Sequence, residues 1–284
     1  MLLGGHPGSA GVEIVELGDS SISICPDPTN TEIHLDGPAA TFINGQPMAC
    51  GGYGNDKCFT YSFATKTWTN NVNLDRERGM VMGVMVDDST WWLAGGEPLT
   101  KTTQIYDGSI MTTGPVLPQT LSMACLLKLN ATHFFLAGGK GNGGSTVNNA
   151  HIIDWTTKTW TDLPAMQEIR RAPHCHYLGG DDVYVAGGRG TGNGVTSTEI
   201  FSLSTKTWRF GKKVPNAREE MCCGSLTIGN EAGSLYMFGG LVASVRVDTV
   251  YKFDPEEKEW NLITKKLKMG RNAHAVIKLP DDFC

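Results

Sequence analysis

Pairs of adjacent glycines that follow short apolar runs recur at nearly regular intervals along the chain. Successive pairs begin 47, 44, 43, 49 and 52 residues apart. The pairs with this spacing are Gly4-Gly5, Gly51-Gly52, Gly95-Gly96, Gly138-Gly139, Gly187-Gly188 and Gly239-Gly240. Repetition at such an interval is typical of folds that use one supersecondary unit many times. The spacing therefore predicts six copies of one unit rather than two unrelated domains.

A second mark of the unit is a tryptophan that follows an apolar residue by seven positions. The four instances are Tyr61 with Trp68, Ile153 with Trp160, Phe201 with Trp208 and Phe253 with Trp260. Polar turn residues such as Thr65-Lys66-Thr67 lie between, so each instance predicts two strands joined by a hairpin turn. Glycine supplies 35 of the 284 residues, and no long stretch has an apolar period of 3.6 residues. We therefore predict an all-β fold.

Arginine begins a predicted strand in several of the units. Arg171-Ala172-Pro173-His174 and Arg271-Asn272-Ala273-His274 share an Arg-x-x-His pattern, while Arg78 and Arg218 begin comparable strands without the histidine. Together with the glycine pairs and the tryptophans, this pattern resembles the kelch-repeat family over essentially the whole chain. The resemblance implies a β-propeller whose blades are four-stranded antiparallel sheets, with Arg-x-x-His on the innermost strand and Gly-Gly ending the second.

The two ends of the chain each carry part of one unit. Arg271 to Leu279 reads as an innermost strand without a following glycine pair, and the first residues supply a glycine pair without an innermost strand. Joining them would complete a blade and hide two sheet edges, so we predict one six-bladed domain over 1–284 and expect the natural N-terminus to lie upstream of Met1. The predicted blades are about 270–284 with 1–23, 32–74, 75–118, 119–166, 167–214 and 215–269.

Composition argues against some classes of partner. Charged residues make up 19% of the chain and the formal net charge is −5, whereas nucleic-acid-binding domains normally carry a basic stripe or patch. No apolar run approaches the roughly 20 residues that a membrane-spanning helix requires. We expect no nucleic-acid partner, no membrane partner and a monomer.

The arginines of the repeat are candidate partner-binding residues. They are Arg78, Arg171, Arg218 and Arg271. They fall where an outer strand passes to the next inner strand, and the resemblance implies that kelch proteins often bind partners on that face. A ring of guanidinium groups would suit an acidic peptide or a carboxylate. The alternative, which stays open, is pairing inside each blade with nearby acids such as Asp75, Glu77, Glu219 and Glu220.

Four of the eight cysteines are candidates for disulfide bonds. Cys50 and Cys58 flank a predicted tight hairpin, which would bring their Cα atoms within the roughly 5.5 Å that a disulfide requires. Cys125 and Cys175 lie in innermost strands of adjacent predicted blades and are a second candidate pair. The arrangement around Cys25, Cys50 and Cys58 resembles secreted kelch-repeat proteins of invertebrates and lower chordates and so implies an extracellular protein. A cytoplasmic location is the alternative.

Three patterns could suggest chemistry but have simpler structural interpretations. Residues 139–144 match G-x-G-x-x-G, but a phosphate site needs a following helix, and a strand is predicted instead. His174-Cys175-His176 contains three metal-ligating residue types, but alternate residues of a strand face opposite ways. The pairs Asp87-Asp88 and Asp181-Asp182 are most simply turn formers. We therefore expect no catalytic residue, no cofactor and no metal.

These observations favour a protein-interaction scaffold that binds a protein or peptide with the loop-bearing face of the propeller, and they do not favour an enzyme. Two alternatives stay open. One is a carbohydrate-binding or carbohydrate-active propeller, because related propellers include oxidases of the galactose-oxidase type and a sialic-acid mutarotase. The other is an actin-binding kelch scaffold.

Overall fold

The computed structural model describes residues 1–3, 12–15, 35–219, 227–228 and 234–279. Within these ranges the regular elements are 26 β-strands and one 3-10 helix, Asn142–Gly144. Among the described residues, no helix has the length and apolar character needed to cross a membrane. The prediction of an all-β fold is confirmed.

Both ends of the chain contribute to one small sheet. Strand β1 (Leu2–Leu3) pairs antiparallel with β2 (Val12–Glu13). On its other side, β1 pairs with the last strand of the chain, Ala275–Val276. We call this three-stranded sheet the terminal sheet. The predicted closure of the propeller by N-terminal and C-terminal strands is confirmed by this pairing.

Blades 1 to 4 are antiparallel meanders in which each strand pairs with the next along the chain. Blade 1 consists of β3 (Ala39–Ile43), β4 (Gln46–Cys50), β5 (Lys57–Ser62) and β6 (Thr67–Asn73). Blade 2 consists of β7 (Met82–Met85), β8 (Trp91–Ala94), β9 (Thr103–Tyr106) and β10 (Met111–Thr113). Blade 3 consists of β11 (Cys125–Lys128), β12 (His133–Ala137), β13 (Ala150–Asp154) and β14 (Thr159–Leu163). Blade 4 consists of β15 (His174–Tyr177), β16 (Asp182–Ala186), β17 (Thr198–Ser202) and β18 (Thr207–Gly211).

An additional small sheet lies beside blade 5, formed by the segment before its first strand and by the loop between its second and third strands. The strands of this region are β19 (Arg218–Glu219), β20 (Thr227–Ile228), β21 (Ser234–Phe238), β22 (Leu241–Val242), β23 (Val245–Arg246), β24 (Thr249–Asp254) and β25 (Glu259–Lys266), and the last described strand is β26 (Ala275–Val276). Strands β20, β21, β24 and β25 form the blade, while β19, β22 and β23 form the additional sheet. The described residues thus form five four-stranded blades instead of the predicted six, because the terminal sheet has three strands. Much of the predicted 1–23 segment lies outside the described residues.

A chain of backbone hydrogen bonds runs from blade to blade just before the innermost strands. Gly37 donates its N–H to Ala273 (3.0 Å), Met80 to Gly37 (2.7 Å), Met123 to Met80 (3.4 Å) and Ala172 to Met123 (2.6 Å). All five residues have positive φ, between 48° and 69°. We call this arrangement the inner girdle; it places the terminal sheet and blades 1 to 4 in sequence around one axis.

The five glycine pairs among the described residues lie at the seams between neighbouring blades, and Gly4-Gly5 lies outside the described residues. Gly96 of blade 2 donates its N–H to the carbonyl of Leu121 at the start of blade 3 (2.9 Å). A Cβ on Gly95 would lie only 2.0 Å from that carbonyl oxygen, so glycine is needed for the approach. The same bond recurs from Gly52 to Arg78, Gly139 to Arg170, Gly188 to Arg218 and Gly240 to Arg271. The repeated pair therefore makes a contact between blades as well as ending a strand.

Candidate functional site: the loop face

The antiparallel register collects one set of loops at one end of the propeller. In each complete blade the innermost strand leaves this end and the second strand returns to it. The loops between second and third strands therefore lie here, together with the crossovers between blades. In blades 2 to 5 these loops are 95–102, 138–149, 187–197 and 239–248. We call this end the loop face.

Arg78 shows how the repeat arginine is used. Its guanidinium has 0% exposed surface. Nη1 donates to the carbonyls of Gly95 and Thr102, both at 2.9 Å, and Nη2 donates to a carboxylate oxygen of Asp75 at 2.7 Å. The side chain thus ties the glycine pair of its own blade to the third strand and to the preceding crossover.

Arg218 and Arg271 are used in the same way. Arg218 is 1% exposed and Arg271 is 3% exposed. Arg218 donates to the carbonyl of Gly239 and the hydroxyl of Thr249, and its guanidinium carbon lies 4.7 Å from the ring centre of Tyr251. Arg271 Nη2 donates to Glu13 in the terminal sheet at 2.6 Å. Structural bonds of this kind, the alternative interpretation, therefore account for Arg78, Arg218 and Arg271. The expected acid, Asp75, is the partner only of Arg78; Arg271 pairs with Glu13, and the described partners of Arg218 are neutral.

In blade 4 the repeat arginine is Arg170, one residue before the predicted Arg171. Arg170 is fully buried; its Nη1 donates to Gly187 at 2.9 Å and its Nη2 to the carboxylate of Glu199 at 2.8 Å. The Arg-x-x-His pattern indicated the wrong arginine, because His174 and His274 do not hold equivalent positions in their blades. Ala172 and Ala273 hold the same girdle position, so Arg271 aligns with Arg170.

Arg171 therefore does not take the buried position at the seam, which Arg170 holds. It lies on the loop face. It is partly exposed, and its backbone forms an antiparallel bridge with Arg189, the residue after the glycine pair. Equivalent bridges join Gly79 to Glu97 in blade 2 and Ser122 to Lys140 in blade 3. The Nε atom of Arg171 is buried and has no hydrogen-bond partner among the described residues.

Charge is unevenly distributed over the loop face. In blades 2 and 3 the charges offset each other, because Lys140 Nζ lies 2.9 Å from Glu97 Oε1. Blades 4 and 5 instead carry Arg171, Arg189 and Arg246, which we call the basic sector. Arg246 Nε donates to Asn272 Oδ1 at 2.8 Å, so this arginine reaches across to the next innermost strand.

Sequence reasoning missed Arg189 and Arg246. A signal for Arg189 exists in hindsight, because in blades 2, 3 and 4 the residue that follows the glycine pair bridges to the segment that leads into the innermost strand of the same blade. Arg246 carries no comparable signal, since it lies in a hairpin inside a loop. Tyr53, which follows the pair Gly51-Gly52, is 47% exposed and lies over Gly79, where an added Cβ would be 2.7 Å from its ring.

The structure brings both candidate cysteine pairs together. The Sγ atoms of Cys50 and Cys58 are 2.00 Å apart on neighbouring strands of blade 1. Those of Cys125 and Cys175 are 2.18 Å apart and link the innermost strands of blades 3 and 4. The second bond therefore crosses a seam between blades.

The patterns that could suggest chemistry have structural roles where they are described. Cys175 faces blade 3 and bonds to Cys125, while His174 and His176 pack against Trp260 of blade 5. No cluster of three or more metal-ligating residues occurs in the described ranges. Strand β13 follows residues 139–144. Asp87 accepts the N–H of Ser89 at 2.9 Å, as a turn former does.

Comparison with known proteins adds evidence at the level of the family. Residues 100–283 match the domain family described as the KLHDC2/KLHL20/DRC7 Kelch-repeats domain. Kelch-like protein 40 of Mus musculus is 24% identical over 149 residues, 49% of this chain and 23% of that protein. The F-box/kelch-repeat protein At4g39580 of Arabidopsis thaliana is 25% identical over 193 residues, 66% of this chain and 48% of that protein. A second Arabidopsis thaliana F-box/kelch-repeat protein, At5g39560, is 32% identical over 123 residues, 42% of this chain and 28% of that protein. The chain spans less than half the length of each of these relatives.

Proposed function

Because the chain belongs to the kelch-repeat family, we propose that it is a protein-interaction scaffold that binds a protein or peptide partner through its loop face. The relatives it matches are Kelch-like and F-box/kelch-repeat proteins, which supports an interaction domain in preference to an enzyme. The observation that carries the choice of face is Arg171, a partly exposed residue whose buried Nε lacks a hydrogen-bond partner among the described residues.

The partner's contact with this face is acidic. Guanidinium groups bind carboxylates through paired, charge-assisted hydrogen bonds. The basic sector contains Arg171 and Arg189, whose backbones form a bridge, and Arg246 in the corresponding loop of blade 5. Lys140 contributes less because Glu97 already neutralises it. An aspartate, a glutamate or a chain-terminal carboxylate of the partner would supply the complementary charge. Tyr53, 47% exposed, offers an apolar contact on the same face.

Affinity capture with three forms of the protein tests the choice of face: the unaltered chain, Arg171→Ala and Lys206→Asn. Lys206 is exposed in the turn between the third and fourth strands of blade 4, at the opposite end of the propeller. Its φ is 57°, which asparagine tolerates, so the control removes one charge without straining the turn. We expect Arg171→Ala to weaken binding of the recovered partner at least tenfold and Lys206→Asn to leave it unchanged.

The other outcomes also decide between functions. Equal affinity of the Arg171→Ala variant and the unaltered chain would reject the loop face. Recovery of actin as the main partner would support the actin-binding alternative. Turnover of a free sugar or glycan by the purified protein would support the carbohydrate-active alternative and contradict a purely binding role.

We also propose that the protein resides in an oxidising, extracellular compartment, with the cytoplasm as the alternative. Two disulfide bonds, Cys50–Cys58 and Cys125–Cys175, support this proposal, since structural disulfides persist mainly outside the cytosol. Alkylation of the protein isolated from its native source, with and without prior reduction, followed by mass spectrometry, checks this. Full alkylation without reductant would reject the extracellular location.

A further inference from the structure

A cavity of about 250 Å³ lies between blades 4 and 5, outside the loop face. Its walls include Tyr184, Ile200, Phe253 and Trp260, and its mouth lies beside β18 and the turn that joins β24 to β25. Tyr184, Phe253 and Trp260 form a continuous aromatic wall, with successive ring centres 5.7 and 5.1 Å apart. Folded interiors are normally packed to near-crystalline density, so an opening of this size in a repeated interface needs an explanation.

The first cause of the cavity is a missing side chain at the end of β18. In blade 3 the corresponding residue is Leu163, which pairs with Ala150 and packs into the interface with blade 4. In blade 4 that place is taken by Gly211, which pairs with Thr198. Exchanging leucine for glycine removes four carbon atoms from the wall.

The second cause is the position of Trp260. The tryptophans of blades 3 and 4 donate their indole N–H to the preceding blade: Trp160 to the carbonyl of Val116 at 2.9 Å and Trp208 to that of Pro164 at 2.7 Å. Trp260 instead lies edge-on to His174, with ring centres 5.1 Å apart. Its indole lines the cavity and has no acceptor among the described residues.

Two further polar groups at the cavity are unsatisfied. Thr198 Oγ1 and both ring nitrogens of His176 are buried and have no hydrogen-bond partner in the part of the chain that is described, and both residues line the cavity. Buried polar groups are normally hydrogen-bonded, and leaving one unpaired lowers the stability of the fold. A ligand that supplies the missing partners would restore that stability.

The rim offers no unpaired cation. Arg209 lies 2.5 Å from Asp182, Lys258 lies 3.9 Å from the same residue, and Lys212 lies 3.2 Å from Glu259. An anionic ligand would have to displace one of these carboxylates, and a charged ligand of either sign would meet like charge at this rim, because Glu256 and Glu257 line the cavity beside the three basic groups. The lining therefore favours a ligand without net charge.

We infer that this cavity, the blade 4–5 pocket, binds a small, neutral, planar aromatic molecule that carries a hydrogen-bond acceptor. The ring lies against the aromatic wall, in the offset or edge-to-face contacts that aromatic groups prefer. The acceptor takes the hydrogen bond of the Trp260 indole or the Thr198 hydroxyl. The inference is independent of the proposed partner binding, because the pocket and the loop face share no residue.

Three isosteric probes test the inference: benzamide, which is neutral, benzoate, an anion, and benzamidinium, a cation. Each is titrated into the full chain while the indole N–H resonance of Trp260, assigned with Trp260→Phe, is followed by NMR. We expect a saturable shift with benzamide and at least tenfold weaker binding of both charged probes. Absence of a saturable shift with benzamide would reject the pocket, and tighter binding of a charged probe would reject the neutral class.

Two variants and one control locate the binding. Gly211→Leu restores the residue of blade 3 and should fill the pocket, since the new Cβ meets only the flexible end of Ile200, 2.7 Å away; we expect at least a tenfold loss of benzamide affinity. Thr198→Val, which keeps the shape and removes the hydroxyl, should weaken binding about threefold. Leu163→Met changes the matching position of blade 3 and should have no effect. Unchanged affinity in both Gly211→Leu and Thr198→Val would overturn the assignment.

Discussion

The interface between blades 3 and 4 and the interface between blades 4 and 5 are built from the same repeat but packed to different extents. The first encloses Phe135, Phe201 and Trp208. The indole of Trp208 donates a hydrogen bond to the carbonyl of Pro164, and a disulfide bond crosses the seam. The second encloses His174 and His176, whose buried ring nitrogens lack hydrogen-bond partners among the described residues, and a cavity of about 250 Å³. Seam glycines join both pairs of blades by the same backbone bond, from Gly139 and from Gly188.

This difference separates what holds the ring together from what fills it. The backbone bonds at the seam are present in both interfaces, so the ring can close without full side-chain packing. One interface is then left free to acquire a pocket while its neighbour remains fully packed. Four predictions test this difference between the two interfaces, from the largest expected effect to the smallest.

The largest effect is expected from the seam arginines. Arg170→Met removes the cation that faces Glu199, a carboxylate with 0% exposed surface, and leaving one member of a buried ion pair costs about 3–5 kcal/mol. We expect Arg170→Met to lower the free energy of unfolding by about 4 kcal/mol. Arg218→Met, whose described partners are the neutral Gly239 and Thr249, should cost about half as much. Urea denaturation at pH 7 measures both, and equal losses would contradict the comparison.

The second largest effect is expected from the disulfide bond between Cys125 and Cys175, which joins blades 3 and 4. Replacing Cys125 and Cys175 together by alanine opens a loop closed over 50 residues of sequence, and we expect a loss of about 3 kcal/mol because the unfolded chain regains freedom. The matched pair Cys50 and Cys58 closes a separation of only eight residues within one blade, so its removal should cost less. Thermal and urea unfolding of the two double variants, without reductant, provide the test. A larger loss in the Cys50–Cys58 variant would contradict it.

The third prediction concerns the histidines of the second interface. Burial lowers the pKa of His174 to about 4, because a low-dielectric site disfavours the imidazolium. The unfolded chain gains this proton as the pH falls through about 6.5, while the folded chain does not until about pH 4, so stability falls across that window. We expect His174 to contribute a loss of about 2 kcal/mol between pH 7 and pH 5.

His174→Val tests this by removing the titrating group from the blade 4–5 interface. Urea denaturation of both forms at pH 7, 6 and 5 should show a smaller pH dependence in the variant. His274, whose pKa burial lowers to about 3, should leave a residual dependence of the same sign in both forms. Parallel pH profiles of the two forms would show that His174 does not titrate in this way.

The smallest effect is the expected difference in stability between variants of Trp208 and of Trp260. Trp208→Phe loses the 2.7 Å hydrogen bond to the carbonyl of Pro164, whereas Trp260→Phe loses no described hydrogen bond. We therefore expect Trp208→Phe to cost about 1 kcal/mol more than Trp260→Phe. The difference in urea midpoint at constant slope measures it, and a greater cost for Trp260→Phe would show that its indole is bonded in solution.

Much of the fold could be predicted because its marks are local and repeated. Spacing along the chain predicts the glycine pairs, the hairpins that carry Trp68, Trp160, Trp208 and Trp260, and the joining of the termini. The structure shows five of the six glycine pairs, the four hairpins and the joining of the termini, and Gly4-Gly5 lies outside the described residues. The roles of the arginines were harder to predict, because Arg170 and Arg171 are adjacent. An alignment error of one residue replaces the buried arginine of the seam with the partly exposed one. Their separation depends on the positive φ of Ala172 and its bond to Met123 in another blade.

The functional surfaces depend even more on contacts between blades. The basic sector combines Arg171 and Arg189 with Arg246, which lies in a loop hairpin and reaches Asn272. The blade 4–5 pocket arises from Gly211 together with the orientation of Trp260, and neither residue is unusual in its own strand. Features of this kind are set by packing between distant segments, so a single sequence without its three-dimensional arrangement does not reveal them.

The inner girdle has a consequence for how such a chain can change over time. Every link in it joins a main-chain N–H to a main-chain carbonyl, and the residues that form it are as different as glycine, alanine and methionine. Side chains around it can therefore be exchanged without removing the link, provided the residue accepts positive φ. A duplicated blade would bring one donor and one acceptor of its own, and then diverge. The loops of blades 4 and 5 can thus acquire new recognition properties while the ring that carries them stays closed.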